Sequence, residues 1–427
     1  MDRSPARPHV PHLSATLLTS LLGLAGLACG APEPPEQSAA PVAAPAPHLY
    51  VWAGDVDGRA SDTDFLAVYD IGAEPRADRL ISTAPIGSVH VEAHHTELDH
   101  PGDHPLFANG FMAGRIWLFD LTNPAAPRMV SSIDSVPGFK QPHSFARLAD
   151  GNVLATLQFG DGPGNPGGLA LFAPDGTLLR TVSAADPAFP GARIRTYALD
   201  VTGAGDRTIT TSSPMTDEQT THVVQIWRTS DVTLLRTLPV PEVAGDTLRH
   251  RMPFEVRFLD GGSTAMFNTF TCSFNLMRGV DSDNPTIERV LTLEDGDMGC
   301  SVPLVIGHYW IMPVMLARKI VVLDIADPSR PTIVSTVATD STFGPHWSSR
   351  DPGSDRVAFT SVIWPEMGLQ ADPRILMARF DSTTGALTWD TTFSDPVTGR
   401  LGIDLGRATW PHGATGPAMP HGVVFGR

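Results

Sequence analysis

Ile116-Trp117-Leu118-Phe119-Asp120-Leu121-Thr122-Asn123-Pro124-Ala125-Ala126-Pro127 is an apolar run that ends in a turn, and the chain writes it again as Ile320-Val321-Val322-Leu323-Asp324-Ile325-Ala326-Asp327-Pro328-Ser329-Arg330-Pro331. β-Branched and aromatic residues make the run a strand. The Asp starts the turn, and the prolines stop the strand because they cannot donate to a ladder. Working outward, the same kind of segment occurs at Phe65–Asp70, Leu169–Phe172, Val223–Trp227, Phe274–Met277 and Ile375–Phe380. Seven copies at a spacing of roughly fifty residues fall in the propeller range. The fold expected is therefore all-β, a seven-bladed β-propeller over residues 48–427.

Strands preceding each copy complete four-stranded blades. In the third blade Ser144–Leu148 would be innermost, followed by Asn152–Leu157, Leu169–Phe172 and Leu178–Val182, with Asp150-Gly151 as the first turn. The first blade begins with its second strand, His48–Trp52, and so lacks an inner one. Gly422–Phe425 at the C-terminus can supply it, closing the ring and leaving few free sheet edges.

Histidines recur at one place in this unit. They are His94 and His95 in Glu92-Ala93-His94-His95-Thr96, His143 after Pro142, His346 after Pro345, and His421 after Pro420. Each stands at or just before an inner strand, in the second, third, seventh and first blades. Equivalent blade positions converge on one channel, so these imidazoles would form a metal site. Imidazole suits copper, zinc, iron and nickel alike. The plainer reading is that Pro-His pairs punctuate turns. In the fourth, fifth and sixth blades the corresponding positions fall near Tyr197, Glu255 and Cys300. Glu255 reads either as a buried partner of Arg257 or as an acid/base group in the channel. Cys272 and Cys300 read as a disulfide, or as a thiolate ligand or redox thiol. His90, His100, His104 and His412 lie off the pattern, around the site or on the surface. The loop Gly160–Gly168 lacks the lysine and the strand-to-helix setting of a phosphate cradle, and reads as a loop shaping the channel mouth.

The N-terminus belongs to another category. Arg3 and Arg7 precede an apolar run from Leu17 to Ala28 that ends at Cys29, a secretion signal too short for a stable membrane span. The small residues before Cys29 suit a lipoprotein cleavage box over residues 1–29, with a cleaved soluble periplasmic protein as the alternative. Residues 30–47, rich in Pro and Ala, read as a disordered tether. Membrane contact is expected only through that lipid anchor, in the periplasm or at the outer membrane. A net charge of −16 without a Lys/Arg cluster argues against a nucleic-acid partner, because nothing would neutralise phosphates.

Taken in order, His94-His95, Arg115–Asp120 with its proline turn, Pro142-His143 leading to Asp150-Gly151, the Gly160–Gly168 loop, Pro253–Leu259, Asp324–Pro331 and the His421 segment resemble the selenium-binding protein and methanethiol oxidase family. The resemblance covers most of the chain after the leader. It implies a seven-bladed propeller and, for secreted bacterial members, a copper enzyme that oxidises methanethiol with oxygen to formaldehyde, hydrogen sulfide and hydrogen peroxide. The family's copper-associated histidines map to His94, His95, His143 and His421. His346 is an addition to that set. Thr96-Glu97-Leu98-Asp99 replaces the thiol motif that animal members link to selenium, so selenium binding through it is not expected. The expectation is a copper-dependent oxidase of a small thiol, with Glu255 and Cys300 in catalytic positions and His94, His95, His143, His346 and His421 as metal ligands. The alternative is a non-enzymatic binding or copper-carrying propeller.

Overall fold

The computed structural model describes residues 47–426 apart from 56–61, 73–79, 90, 101, 163, 216–219, 244–250, 261, 294–297 and 396–397. The leader over residues 1–29, nearly all of the tether and His90 lie outside the described residues.

Seven antiparallel sheets form a seven-bladed propeller. The first blade contains β1 (His48–Asp55), β2 (Phe65–Asp70) and β3 (Leu80–Pro85); the second runs from β4 (Ala93–Thr96) through β5 (Leu106–Gly110) and β6 (Arg115–Asp120) to β7 (Arg128–Ile133). The third comprises β8 (Phe139–Arg147), β9 (Val153–Gly160), β10 (Gly168–Phe172) and β11 (Leu178–Ser183). The fourth has β12 (Thr196–Val201), β13 (Arg207–Ser212), β14 (Val223–Arg228) and β15 (Thr233–Pro239). The fifth has β16 (Pro253–Asp260), β17 (Thr264–Thr269), β18 (Ser273–Arg278) and β19 (Thr286–Thr292). The sixth has β20 (Leu304–Ile306), β21 (Tyr309–Val314), β22 (Lys319–Asp324) and β23 (Thr332–Ala338). The seventh has β24 (Pro345–Arg350), β25 (Arg356–Ser361), β26 (Arg374–Phe380) and β27 (Leu387–Trp389), with β28 (Ile403–Asp404) pairing β26 as an extra strand. All seven apolar repeats of the sequence are third strands.

The ring closes as the sequence led us to expect. β29 (Ala418–Gly426) pairs antiparallel with β1, from His48 opposite Gly426 to Asp55 opposite Ala418. The last strand is thereby the inner strand of the first blade. The inner strand of the third blade is longer than expected: it begins at Phe139 and stays paired past a step in its register.

Burial follows from stacking blades. Second and third strands are buried on both faces, and most are largely apolar, because each sheet is covered by a neighbour on either side. Trp52, Leu66 and Val68 of the first blade pack with Leu106, Ala108, Trp117 and Phe119 of the second. Outer strands such as β7 and β23 alternate instead, with Met129, Ile333 and Val334 exposed.

Candidate metal centre

The centre is built by one backbone device repeated around the ring. In the third blade Pro142 pairs with Leu157 and Phe145 with Ala155, so the inner strand spends three steps where its neighbour spends two. This is a bulge, one extra residue that re-aims the side chains beside it. The same step occurs between Ala93 and Thr96, Thr196 and Leu199, Pro253 and Val256, Pro345 and Ser348, and on β29 between Pro420 and Val423. In the sixth blade Cys300 bridges Val314 while Leu304 pairs with Ile311, which is the same one-residue step.

Each bulge contributes two residues. The first positions are His421, His94, His143, Tyr197, Phe254, Ser301 and His346. The second are Gly422, His95, Ser144, Ala198, Glu255, Val302 and Trp347. The sequence reading therefore needs one correction of register. The sixth blade puts Ser301, not Cys300, at the position equivalent to His94, while Glu255 of the fifth blade stands at the position equivalent to His95 and Phe254 at that of His94. The physical reason is the extra residue, which a simple alternation of strand side chains does not count.

A polar residue opposite each of three bulges satisfies the backbone it frees. His95 N–H donates to Asn109 Oδ1 at 2.7 Å, Ser144 N–H to Thr156 Oγ1 at 2.9 Å and Ala198 N–H to Thr211 Oγ1 at 3.1 Å. These side chains also donate to the next blade. Asn109 reaches the Pro142 carbonyl, Thr156 that of Tyr197 at 2.5 Å and Thr211 that of Phe254 at 2.6 Å. Asn268 and Thr360 do the same to the carbonyls of Cys300 and His421. These residues were not singled out from sequence. For Asn109 and Thr156 the available signal was a lone Asn or Thr inside an otherwise apolar run, as in Phe107-Ala108-Asn109; Thr211, in the threonine-rich Thr208-Ile209-Thr210-Thr211, carries none.

All five predicted histidines come together. His94 and His95 stack with ring centroids 4.2 Å apart, His94 lies 4.2 Å from His421 and 5.0 Å from His143, and His346 lies 4.7 Å from His421. Nε2 of His94 and Nε2 of His143 are 3.2 Å apart. Two donors each about 2.0 Å from one tetrahedral ion would stand at about that separation. Two groups have ligand atoms that all fall within 4.8 Å of one another: His94, His95 and His143, and His95, His346 and His421. Nδ1 of His143 is 2.9 Å from Ser144 Oγ, Nδ1 of His95 is 3.2 Å from it, and Nδ1 of His346 meets Ser301 Oγ. Nδ1 of His95, His143 and His346 is thus held, whereas Nδ1 of His94 and Nε2 of His95, His346 and His421 are buried without a hydrogen-bond partner among the described residues. A buried imidazole nitrogen is rarely left so unless something else binds it.

Electrostatics agree with the geometry. Burial, and after it the neighbouring imidazoles, hold His94, His95 and His421 well below the usual histidine range. His143 is lowered too, by burial first, against an opposing backbone hydrogen bond at Tyr197. Burial alone brings His346 down to about 4. Neutral imidazole is the form that ligates metal.

The remaining expected site residues separate from this cluster. Glu255 accepts a hydrogen bond from Arg257 Nη1 at 3.0 Å, and burial raises its carboxyl against the pull of that arginine. It lines a cavity of about 10 Å³ with His95, Ser144 and Trp347, on the side away from His94, His346 and His421. Cys300 is joined to Cys272 in a disulfide, both residues fully buried. Its expected place as a catalytic thiol is thereby corrected: a cystine has no thiol to ionise. Cys272 sits in the turn after β17, with φ of 59°. His104 is beside Asp103 near the surface, His412 bonds Thr83, and His100 is buried against Tyr50.

Above the imidazoles opens a cavity of about 420 Å³. His94, His346 and His421 form its floor, and Tyr197, Phe254, Phe270, Met215, Met252 and Met315 much of its wall. Glu92, with φ of 54°, is the acidic residue lining it among those described. Backbone in that region is uncommon outside glycine and collects at functional sites.

No protein-family model matches the chain. Over 138 residues it is 28% identical to a methanethiol oxidase from a Hyphomicrobium species, a match that spans 31% of this chain and 31% of that protein. The fold is similar to that of a hypothetical selenium-binding protein from Sulfolobus tokodaii, with a TM-score of 0.69 and 15% identity over 89% of this chain and 94% of that one. It is also similar to a periplasmic gluconolactonase from Pseudomonas aeruginosa, with a TM-score of 0.58 and 13% identity over 89% and 99% of the two chains. A putative 6-phosphogluconolactonase from Bacteroides fragilis gives 0.59 and 11% over 90% and 98%. At these identities structural likeness establishes a shared propeller, and activity has to be argued from the site.

Proposed function

We propose that the protein is a secreted copper-dependent oxidase of small thiols. The observation that carries this reading is the cluster of five neutral imidazoles, three with an unpartnered buried Nε2, of which His94, His346 and His421 form the floor of an apolar cavity. Such a donor set fits copper, though imidazole alone would serve zinc or nickel as well. Copper is chosen because the family resemblance implies it, and the partial likeness to a methanethiol oxidase agrees with that family. His94, His95, His143, His346 and His421 would hold it, and when bound it supplies thiolate binding and electron transfer to oxygen.

The chain's own residues do the rest. Ser144 and Ser301 fix the ring orientations by holding the Nδ1 atoms. Apolar walls exclude water from the thiol. Glu92 offers a proton acceptor in the same cavity. Glu255 stands across His95 beside a cavity with room for about one water and would relay protons toward the opposite end of the channel. Net turnover balances when one primary thiol, one dioxygen and one water give one aldehyde, one hydrogen sulfide and one hydrogen peroxide.

The buried Cys272–Cys300 disulfide supports an oxidising compartment, consistent with export through residues 1–29 and lipidation of Cys29. Loss of fatty-acid labelling in a Cys29→Ser variant would test the anchor. For the enzyme, the first test is metal content by plasma mass spectrometry of periplasmic protein, wild type against a His94→Ala/His95→Ala double variant. Near-stoichiometric copper that the variant loses is expected, together with methanethiol-dependent hydrogen peroxide formation. Copper without turnover would indicate a carrier. No metal after copper supplementation would return the protein to the binding propellers.

A further inference from the structure

The cavity is far larger than methanethiol requires. An apolar cavity of roughly 150 Å³ already accommodates benzene, and this one measures about 420 Å³. A molecule of one carbon and one sulfur would leave most of it to water against apolar walls. We infer that the substrate is a bulkier apolar primary thiol, whose thiol-bearing methylene carries an alkyl or aryl group of roughly six to ten non-hydrogen atoms.

Placement follows from the two chemistries present. The floor is imidazole, with Nε2 of His346 and His421 unpartnered, and this is where a sulfur-bearing end has polar company. The wall is aromatic and thioether: it includes Phe254, Phe270 and Trp364 together with Met215, Met252 and Met315. Phe254 and Phe270 are 5.7 Å apart and edge-on, and Phe270 is 5.8 Å from Trp364, so rings continue from the floor to the rim. Methionines adapt to irregular shapes and make favourable contacts with aromatic rings. Trp364 and Ile363 are more than a third exposed at the rim, as expected of apolar groups that a ligand would cover. No lysine or arginine lines the cavity among the described residues, which disfavours a thiol carrying a carboxylate or phosphate.

The inference rests on the oxidase reading only for the sulfur. In turnover the C–S bond of the thiol breaks and its carbon is oxidised by two electrons to the aldehyde. Oxygen takes those electrons and two protons to give hydrogen peroxide, the sulfur leaves as hydrogen sulfide, and water supplies the aldehyde oxygen.

Binding separates the two ideas. The protein as purified would be titrated calorimetrically with benzyl alcohol, an unreactive oxygen analogue of phenylmethanethiol, and with methanol. Each buried methylene equivalent strengthens binding about fourfold, so burial of roughly half of the six additional carbons, about three methylene equivalents, should make benzyl alcohol bind on the order of 100-fold more tightly than methanol. Trp364→Ala, a change at the rim outside the imidazole cluster, should weaken benzyl alcohol about tenfold and leave bound metal unchanged. In turnover, phenylmethanethiol should exceed methanethiol in kcat/KM by a similar factor. Equal binding of the two alcohols, or no effect of Trp364→Ala, overturns the inference even where methanethiol is oxidised. Tight benzyl alcohol binding in a protein that oxidises no thiol would uphold the pocket and defeat the oxidase reading.

Discussion

One arc of the channel wall is imidazole and the facing arc is mainly aromatic, although the backbone is the same in both. The seventh, first, second and third blades put His346, His421, His94 and His143 at the first bulge position, whereas the fourth and fifth put Tyr197 and Phe254 there and the sixth puts Ser301. A seven-fold scaffold alone would give seven equivalent side chains. Side-chain choice breaks that symmetry: one arc carries the candidate ligands, the other supplies apolar wall. Ser301 serves the histidine arc from across the boundary, through Nδ1 of His346. The bulge supplies position and the residue supplies chemistry, so either can be changed separately.

The most drastic way to break the comparison is to remove the strand that closes the ring. Deleting residues 418–427 takes away β29, and with it the inner strand of the first blade and His421. The expected outcome is no cooperative melting transition by circular dichroism; an unchanged Tm would refute closure as the stabilising element. Next in size is a contrast between the arcs. His95→Ala should weaken metal binding at least about 100-fold, while Tyr197→Phe should leave it within about twofold, as judged by metal competition titration. Equal losses would mean that the aromatic arc also takes part in holding the ion.

The disulfide probes the boundary between the fifth and sixth blades. It closes a separation of 28 residues, so a Cys272→Ala/Cys300→Ala variant should lose about 3 kcal/mol in chemical denaturation and still bind metal. Loss of turnover with metal and fold intact would instead restore a redox role to the pair. Smaller again is Ser144→Ala, which frees Nδ1 of both His95 and His143. Metal affinity should fall about tenfold with little change in the stability of metal-free protein.

A last effect is one of pH and lies outside both arcs. Burial brings His100 down to about 4 from the unfolded value of 6.5, and neither of its ring nitrogens has a hydrogen-bond partner among the described residues. Below pH 6.5 the unfolded chain takes up a proton that the folded chain refuses, so stability falls as pH drops from 6.5 toward 4. A single such group contributes at most about 1.4 kcal/mol per pH unit. His100→Phe should flatten the stability profile in that window by up to one proton. An unchanged slope would assign acid sensitivity to the imidazole cluster alone.

Much of this was legible in the chain. The repeat of Ile116–Pro127 at Ile320–Pro331 carries a physical requirement: a strand buried on both faces must be apolar throughout, and a proline must end it. That made the seven third strands readable, and the missing inner strand of the first blade pointed to residues 422–425. The five histidines were readable because the same residue type recurred at the same point of a repeat. Cys300 was placed one residue out of register, and Asn109, Thr156 and Thr211 were missed. A bulge has no side-chain signature of its own, and its polar partners belong to a different strand. The leader at residues 1–29 and the tether at 30–47 fall almost wholly outside the described residues.

Short-range pattern and repetition were thus enough to settle the architecture and to pick out the five histidines that the fold brings together. It took the folded ring to decide which ring nitrogens are held and which are left open, that Glu255 and His94 serve opposite sides of the cluster, and that a cavity of about 420 Å³ stands over the imidazoles. Those properties depend on distances between blades that are far apart in the chain, and the one extra residue in each inner strand sets them.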